Sequence, residues 1–267
     1  MVLGGGGALV VVVLGLLFGL NPQQINQLLQ QQPGVNAPGP AGQQELTPEQ
    51  LQQREFVKTV VRFTEVVWDE QFQRAGQRYE KPQVVLFTAE VETGCGVAPS
   101  AVGPFYCPAD RKVYLDPTFF EELQDRLGGS AAEFSQAYVI AHEIGHHVQN
   151  LLGYSELVDR KRRELSKEEF NRWSVRLELQ ADYLAGVWAH YGQQKFSFIE
   201  PGDVEAAITS ANAIGDDRLQ KQATGFVSPE KYTHGTSKQR VHWFQQGLKT
   251  GDLGTLKEMF EMPYERL

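Results

Sequence analysis

Between Ala141 and Asn150 the sequence reads AHEIGHHVQN, which sets three of the chain's six histidines beside a glutamate. On a helix, His142 and His146 stand about 40° apart around the axis, so both imidazoles share one face and can reach one ion. Glu143 projects to the side of that face, where its carboxylate can hold a water bound to the ion. This combination suits metal-assisted hydrolysis. The ion brings the pKa of its water toward about 7 and polarises a carbonyl, and the carboxylate takes up a proton and passes it to the leaving group. Tyr138, Val139, Ile140, Ala141 and Ile144 are apolar neighbours that would bury the helix and keep the site partly dry.

A catalytic zinc uses three protein ligands and leaves a position open. The stretch RLELQADYLAG offers Glu178 and Asp182, spaced i,i+4. Glu178 is expected to ligate the metal. Asp182 is expected to accept the outer N–H of a ligand histidine and fix its tautomer. The reverse assignment, Asp182 on the ion and Glu178 behind it, is the alternative. Arg176 cannot ligate. His147 lies off the shared face and is expected to be structural, as are His190 and His242. Late in the chain, YTHGTSKQR supplies Tyr232, His234 and Arg240 as donors for a developing oxyanion. His234 is the expected one, against a structural loop role. Arg240 is alternatively a partner for Asp216 or Asp217, whose GDD run suits a helix-end hydrogen-bond cluster better than a second metal site. The HExxH pattern resembles the zincin arrangement, in which an edge strand above the metal pairs with an extended substrate, and KVYLD is the candidate for that role.

Mostly helices must position these groups. Thr47-Pro48-Glu49-Gln50 is a capping box with proline at the first helical position, opening a helix through Phe56, Val60, Phe63 and Val67 to about Ala75. Gln83 to Val91 and Lys112 to Asp116 read as strands, separated by a Gly/Pro-rich loop that holds Cys95 and Cys107. A short helix follows Pro117. Ser130-x-x-Glu133 and Ser166-x-x-Glu169 read as capping boxes, opening helices to about Leu152 and Tyr191. Asp203 is expected to cap a helix reaching Gln220, and two more run near Ser237 to Lys249 and Leu253 to Phe260. The sum is a mostly helical α+β domain with a small sheet.

The first twenty residues carry no charged side chain, and twenty helical residues span roughly 30 Å, a bilayer core. Residues 1–20 are therefore expected to be a retained transmembrane anchor. A cleaved signal peptide would show a basic start and small residues at its cleavage site. The Gln/Pro/Gly-rich residues 21–46 cannot bury enough apolar surface to offset their ordering and read as a flexible stalk. Residues 47–267 are expected to form the catalytic domain. The net charge of −8, without a basic block, excludes a nucleic-acid surface. Cys95 and Cys107, the chain's two cysteines, flank a loop that a disulfide would stabilise by about 3 kcal/mol, which points to an oxidising compartment.

HEIGHHVQNLLG and RLELQADYLAGVWA, together with GPFYCPADRKVYLD, IGDDRLQ and THGTSKQRVHWF, resemble the bacterial putative neutral zinc metallopeptidase family. In the pattern HExxH plus ExxxD they also resemble the wider gluzincin group. The resemblance spans about Phe56 to Phe244. It implies a zincin-like metallopeptidase domain with one zinc, one membrane span, and a catalytic domain on the periplasmic or outer side. It assigns His142, His146 and Glu178 as ligands and Glu143 as the base. The basic segment that the family carries before its span is missing here. The resulting expectation is a membrane-anchored zinc endopeptidase acting on peptide or protein substrates. A non-catalytic zinc scaffold would have no need of Glu143, and a chance HExxH helix in a tethered binding module would have no use for the ExxxD helix.

Overall fold

The computed structural model describes residues 47–267. The anchor expected at residues 1–20 and the stalk at 21–46 lie outside these residues. Among the described residues, no helix is long and apolar enough to cross a membrane.

The first helix, α1 (Pro48–Arg74), starts as the sequence predicts: the Thr47 hydroxyl accepts from Gln50 N, and the Gln50 side chain accepts from Thr47 N at 2.9 Å. It buries Val57, Val60, Val67, Trp68 and Phe72. The predicted strand from Gln83 to Val91 is two strands, β1 (Gln83–Leu86) and β2 (Glu90–Thr93), in different sheets. The chain turns between them through Ala89, which sits at φ 68°. The expected cysteine loop is largely built. It contains β3 (Gly96–Pro99), which forms a hairpin with β2, and β4 (Phe105–Cys107). β4 and β1 flank β5 (Lys112–Leu115), β1 parallel and β4 antiparallel to it. The KVYLD strand is therefore central and not an edge: both its edges are already paired, and the edge role falls to β4 or β1. A disulfide joins Cys95 to Cys107 with Cα atoms 5.8 Å apart, fastening the β2–β3 turn to β4.

After the short α2 (Phe119–Asp125) comes α3 (Glu133–Leu151), which carries the histidines. The capping box predicted at Ser130 does not form. The helix begins at Glu133 with Ala132 as its N-cap, so Glu133 is the first helical residue and cannot reach back from the third. The Ser130 hydroxyl instead accepts from Ala132 N at 3.1 Å, shaping the approach. An unforeseen helix, α4 (Tyr154–Glu164), fills the connection, launched by Gly153 at φ 84°. The second predicted capping box does form, Ser166 with Glu169, and opens α5 (Lys167–Phe196), which runs past the expected end. The single helix expected from Asp203 to Gln220 is two, α6 (Asp203–Ala213) and α7 (Asp216–Thr224). Gly202 is the N-cap of α6, and the Asp203 carboxylate accepts from Glu200 N. The break at Gly215 is where α7 meets the start of the next helix: a Cβ there would stand 2.3 Å from Ser237 N. α8 (Ser237–Thr250), capped by Thr236 with Gln239, and α9 (Thr255–Glu261) close the chain.

α5 is the spine of the core. Leu179, Leu184, Val187 and Trp188 are fully or almost fully buried on it, packed with Tyr138, Ile140, Ile144 and Val148 of α3 and with Phe244 of α8. Burying each such side chain contributes about 1.5–3 kcal/mol. The backbones of α5 and α8 approach closely, because a Cβ on Gly247 would lie 2.0 Å from Tyr183 O. Gly145 does the same more gently between α3 and α5, with its ideal Cβ 3.1 Å from Ala181 O. That approach sets the His142 face of α3 against the Glu178–Asp182 face of α5.

Candidate metal centre

His142 Nε2 lies 3.3 Å from Glu178 Oε2, and His146 Nε2 lies 3.5 Å from Glu178 Oε1. The candidate ligand atoms of the three residues fall within 4.8 Å of one another. Such spacing leaves room for one small cation among two imidazole nitrogens and a carboxylate, a donor set suited to zinc. The far nitrogens are already engaged. His142 Nδ1–H donates to Asp182 Oδ1 at 2.9 Å, and His146 Nδ1–H donates to Gln149 Oε1 at 2.8 Å. The Gln149 amide is oriented by its own donations, to Leu177 O and Gln180 Oε1. Both rings therefore present an Nε2 lone pair to Glu178. The residues present fit a zinc ion.

Asp182 collects four bonds. Besides His142 it accepts from Tyr138 O–H at 2.6 Å and from Arg240, whose Nε and Nη2 each donate at 2.9 Å. Burial would push its carboxyl pKa up, but Arg240 and then His142 outweigh this and hold it at about 2. Arg240 thus pairs with Asp182 and not with Asp216 or Asp217. Those two aspartates form the hydrogen-bond cluster. Asp216 accepts from the backbone N–H groups of Thr233, His234 and Gly235, and Asp217 from the N–H and hydroxyl of Ser237.

Glu143 is buried beside the ligands and makes no hydrogen bond or ion pair among the described residues. Burial raises its pKa, with His142 and His146 opposing. His234 reaches the same cleft, of about 440 Å³, together with His142, Glu143, His146 and Glu178. Its Nδ1–H donates to Asp216 Oδ1 at 3.2 Å. Burial disfavours charge on this ring, and Asp216 outweighs it, so its pKa is raised. Tyr232 is buried and is not part of the cleft wall. His147 is buried outside the ligand face, as expected, and His190 donates to Leu248 O. Two positioning groups escaped the sequence reading, Gln149 behind His146 and Tyr138 beside Asp182. Gln149 was in principle visible, i,i+3 from His146 on one helix.

The family model described as "Putative neutral zinc metallopeptidase" matches residues 1–258. The chain belongs to this family. Uncharacterized protein YpfJ of Escherichia coli (strain K12) is 42% identical over 248 residues, covering 93% of this chain and 85% of the relative. An uncharacterized protein of Mycobacterium tuberculosis (strain ATCC 25618 / H37Rv) is 45% identical over 183 residues, 65% of this chain and 61% of the relative. No solved structure matches the chain. Family membership and the His142–His146–Glu178 cluster agree on a zinc-dependent hydrolase at the coarse level.

Proposed function

We propose that the chain is a zinc endopeptidase with a zincin-like site, in which His142, His146 and Glu178 hold one zinc and Glu143 is the general base. The observation that carries this reading is the pairing of a three-residue donor set, both rings fixed from behind, with a buried, unpartnered carboxylate in the same cleft. A purely structural zinc has no use for such a carboxylate and normally takes four protein ligands. Bound there, zinc supplies a Lewis acid and a water acidic enough to serve as a nucleophile near neutral pH. Asp182 holds the His142 tautomer, and Gln149 holds that of His146. Glu143 accepts a proton from the attacking water and returns it to the leaving amine. Among the described residues the edge strand β4 offers an unpaired backbone edge, and Phe105 and Tyr106 line the cleft, so an extended peptide can add to the sheet there. An unbiased peptide-library digest with the wild-type chain tests the reading: internal cleavage that chelation abolishes supports it, and no cleavage of any peptide sinks it.

His234 is the donor for the tetrahedral oxyanion in this scheme. With Nδ1–H on the Asp216 carboxylate, Nε2 donates once the ring is doubly protonated, and Asp216 favours that form. His234→Ala is expected to lower kcat by about 10²–10³ with zinc content intact. An unchanged kcat would return His234 to a loop-ordering role.

The domain is further proposed to sit outside the cytoplasm, tethered by residues 1–20. The Cys95–Cys107 disulfide supports this, since such bonds persist in oxidising compartments. Thiol labelling of denatured, unreduced protein taken from its native compartment should find no free thiol. Two free thiols per chain would remove the main support for this topology.

A further inference from the structure

β4 lines the cleft, and its middle residue, Tyr106, is gripped by the helix that carries the two histidine ligands. The direction of each bond follows from a single fixed acceptor. His147 Nε2 lies 2.5 Å from the Glu80 carbonyl, which can only accept, so Nε2 carries the hydrogen. His147 Nδ1 is then an acceptor, and the group facing it at 3.1 Å is the Tyr106 hydroxyl, which donates. The Tyr106 oxygen in turn accepts from Asn150 Nδ2 at 2.9 Å. His147 and Asn150 are spaced i,i+3 on α3, so one face of the helix closes on one hydroxyl. The Tyr106 and Tyr79 rings stand edge-on to His147, with centroids 5.4 and 5.8 Å away. Strand alternation explains the choice of residue. Tyr106 packs toward the main core, while its neighbours Phe105 and Cys107 pack with Phe87 and Tyr114 on the other face of the sheet.

The peptidase reading needs a peptide on β4 to lie in fixed register over the metal site. The two histidine ligands sit on α3 and the substrate edge on β4, so the distance between these two elements bears on where the scissile carbonyl falls. We propose that Tyr106, His147 and Asn150 are positioning residues that lock β4 to α3 and thereby set the register of an extended substrate. The proposal rests on the peptidase reading and goes beyond it. The three residues touch neither zinc nor the reacting atoms. Their effect should therefore grow with the length of substrate laid along the strand.

The test compares two substrates on the full chain: a ten-residue peptide cleaved in the library digest, and its truncation to two residues on each side of the scissile bond. Tyr106→Phe keeps the ring and removes the hydroxyl. It should lower the long-to-short ratio of kcat/KM by about five- to thirtyfold, mostly through KM, which matches the loss of one to two net hydrogen bonds. Zinc content should stay at the wild-type level. Asn150→Ala, at a half-buried position, should shift the ratio in the same direction and decides the matter if Tyr106→Phe fails to fold. The double variant should lose less than the product of the two single effects. A folded, zinc-loaded variant with the wild-type ratio overturns the positioning role, whatever happens to its thermal stability. A wild type that cleaves no peptide sinks the peptidase reading itself and the positioning role with it, an outcome distinct from a wild type that cleaves and variants that follow it.

Discussion

Glu143→Gln should abolish nearly all peptidase activity, by about 10²–10⁴ in kcat, while the protein stays folded and keeps its zinc. The carboxamide has almost the shape of the carboxylate but cannot take up a proton. Glu143 is buried and makes no hydrogen bond or ion pair among the described residues, so the substitution breaks neither. It is not a ligand either, because the three ligand atoms cluster without it. The measurement is single-substrate kinetics alongside metal analysis of the same preparation. Turnover at the wild-type rate would mean that another group is the base.

Asp182→Asn should be the most destabilising polar substitution at the site. Asp182 is fully buried, and so, nearly, is Arg240, its bidentate partner. Neutralising the carboxylate strands a guanidinium in the core and loosens His142 Nδ1 and Tyr138 O–H as well. Breaking a buried pair by altering one partner costs about 3–5 kcal/mol, and losing the group behind a ligand histidine lowers metal affinity by about 10–100-fold. The sign with pH follows from the depressed pKa. Asp182 titrates at about 2 in the fold against an ordinary value of 3.8, so its contribution is full above pH 3.8 and is lost as pH falls toward 2. The gap between wild type and Asp182→Asn in chemical denaturation should narrow over that acid range. An Asp182→Asn/Arg240→Gln double variant should be less destabilised than the single changes summed, because no charge is left unpaired. A loss below about 1 kcal/mol in the single variant would contradict the buried-pair account.

The sequence displayed the parts of the site whose information is local. The i,i+4 spacing of His142 with His146, and of Glu178 with Asp182, fixes shared helix faces whatever the rest of the chain does. The Cys95–Cys107 bridge was legible for a similar reason, as a lone pair of nearby cysteines across a loop. Less legible were features set by tertiary contact. Arg240 is 58 residues from Asp182, and nothing in its neighbourhood distinguishes that partner from the nearer Asp216 and Asp217. KVYLD has the pattern of a strand but not of a central one; its place depends on β1 and β4 flanking it, and β4 was hidden in a Gly/Pro-rich stretch. The helix expected from Asp203 to Gln220 is cut at Gly215, where the first residue of α8 packs against that glycine. Ser130 matched the capping-box spacing, yet the helix starts later, and its hydroxyl serves the turn ahead of it.

The central claim is that His142, His146 and Glu178 hold one zinc while Glu143 stands free of it. Zinc content per chain, measured on wild type, Glu143→Gln and Glu178→Gln purified side by side, addresses it most directly. The account predicts one zinc in the first two and loss of most of the metal in the third. Full zinc in Glu178→Gln, or loss of zinc in Glu143→Gln, would contradict it.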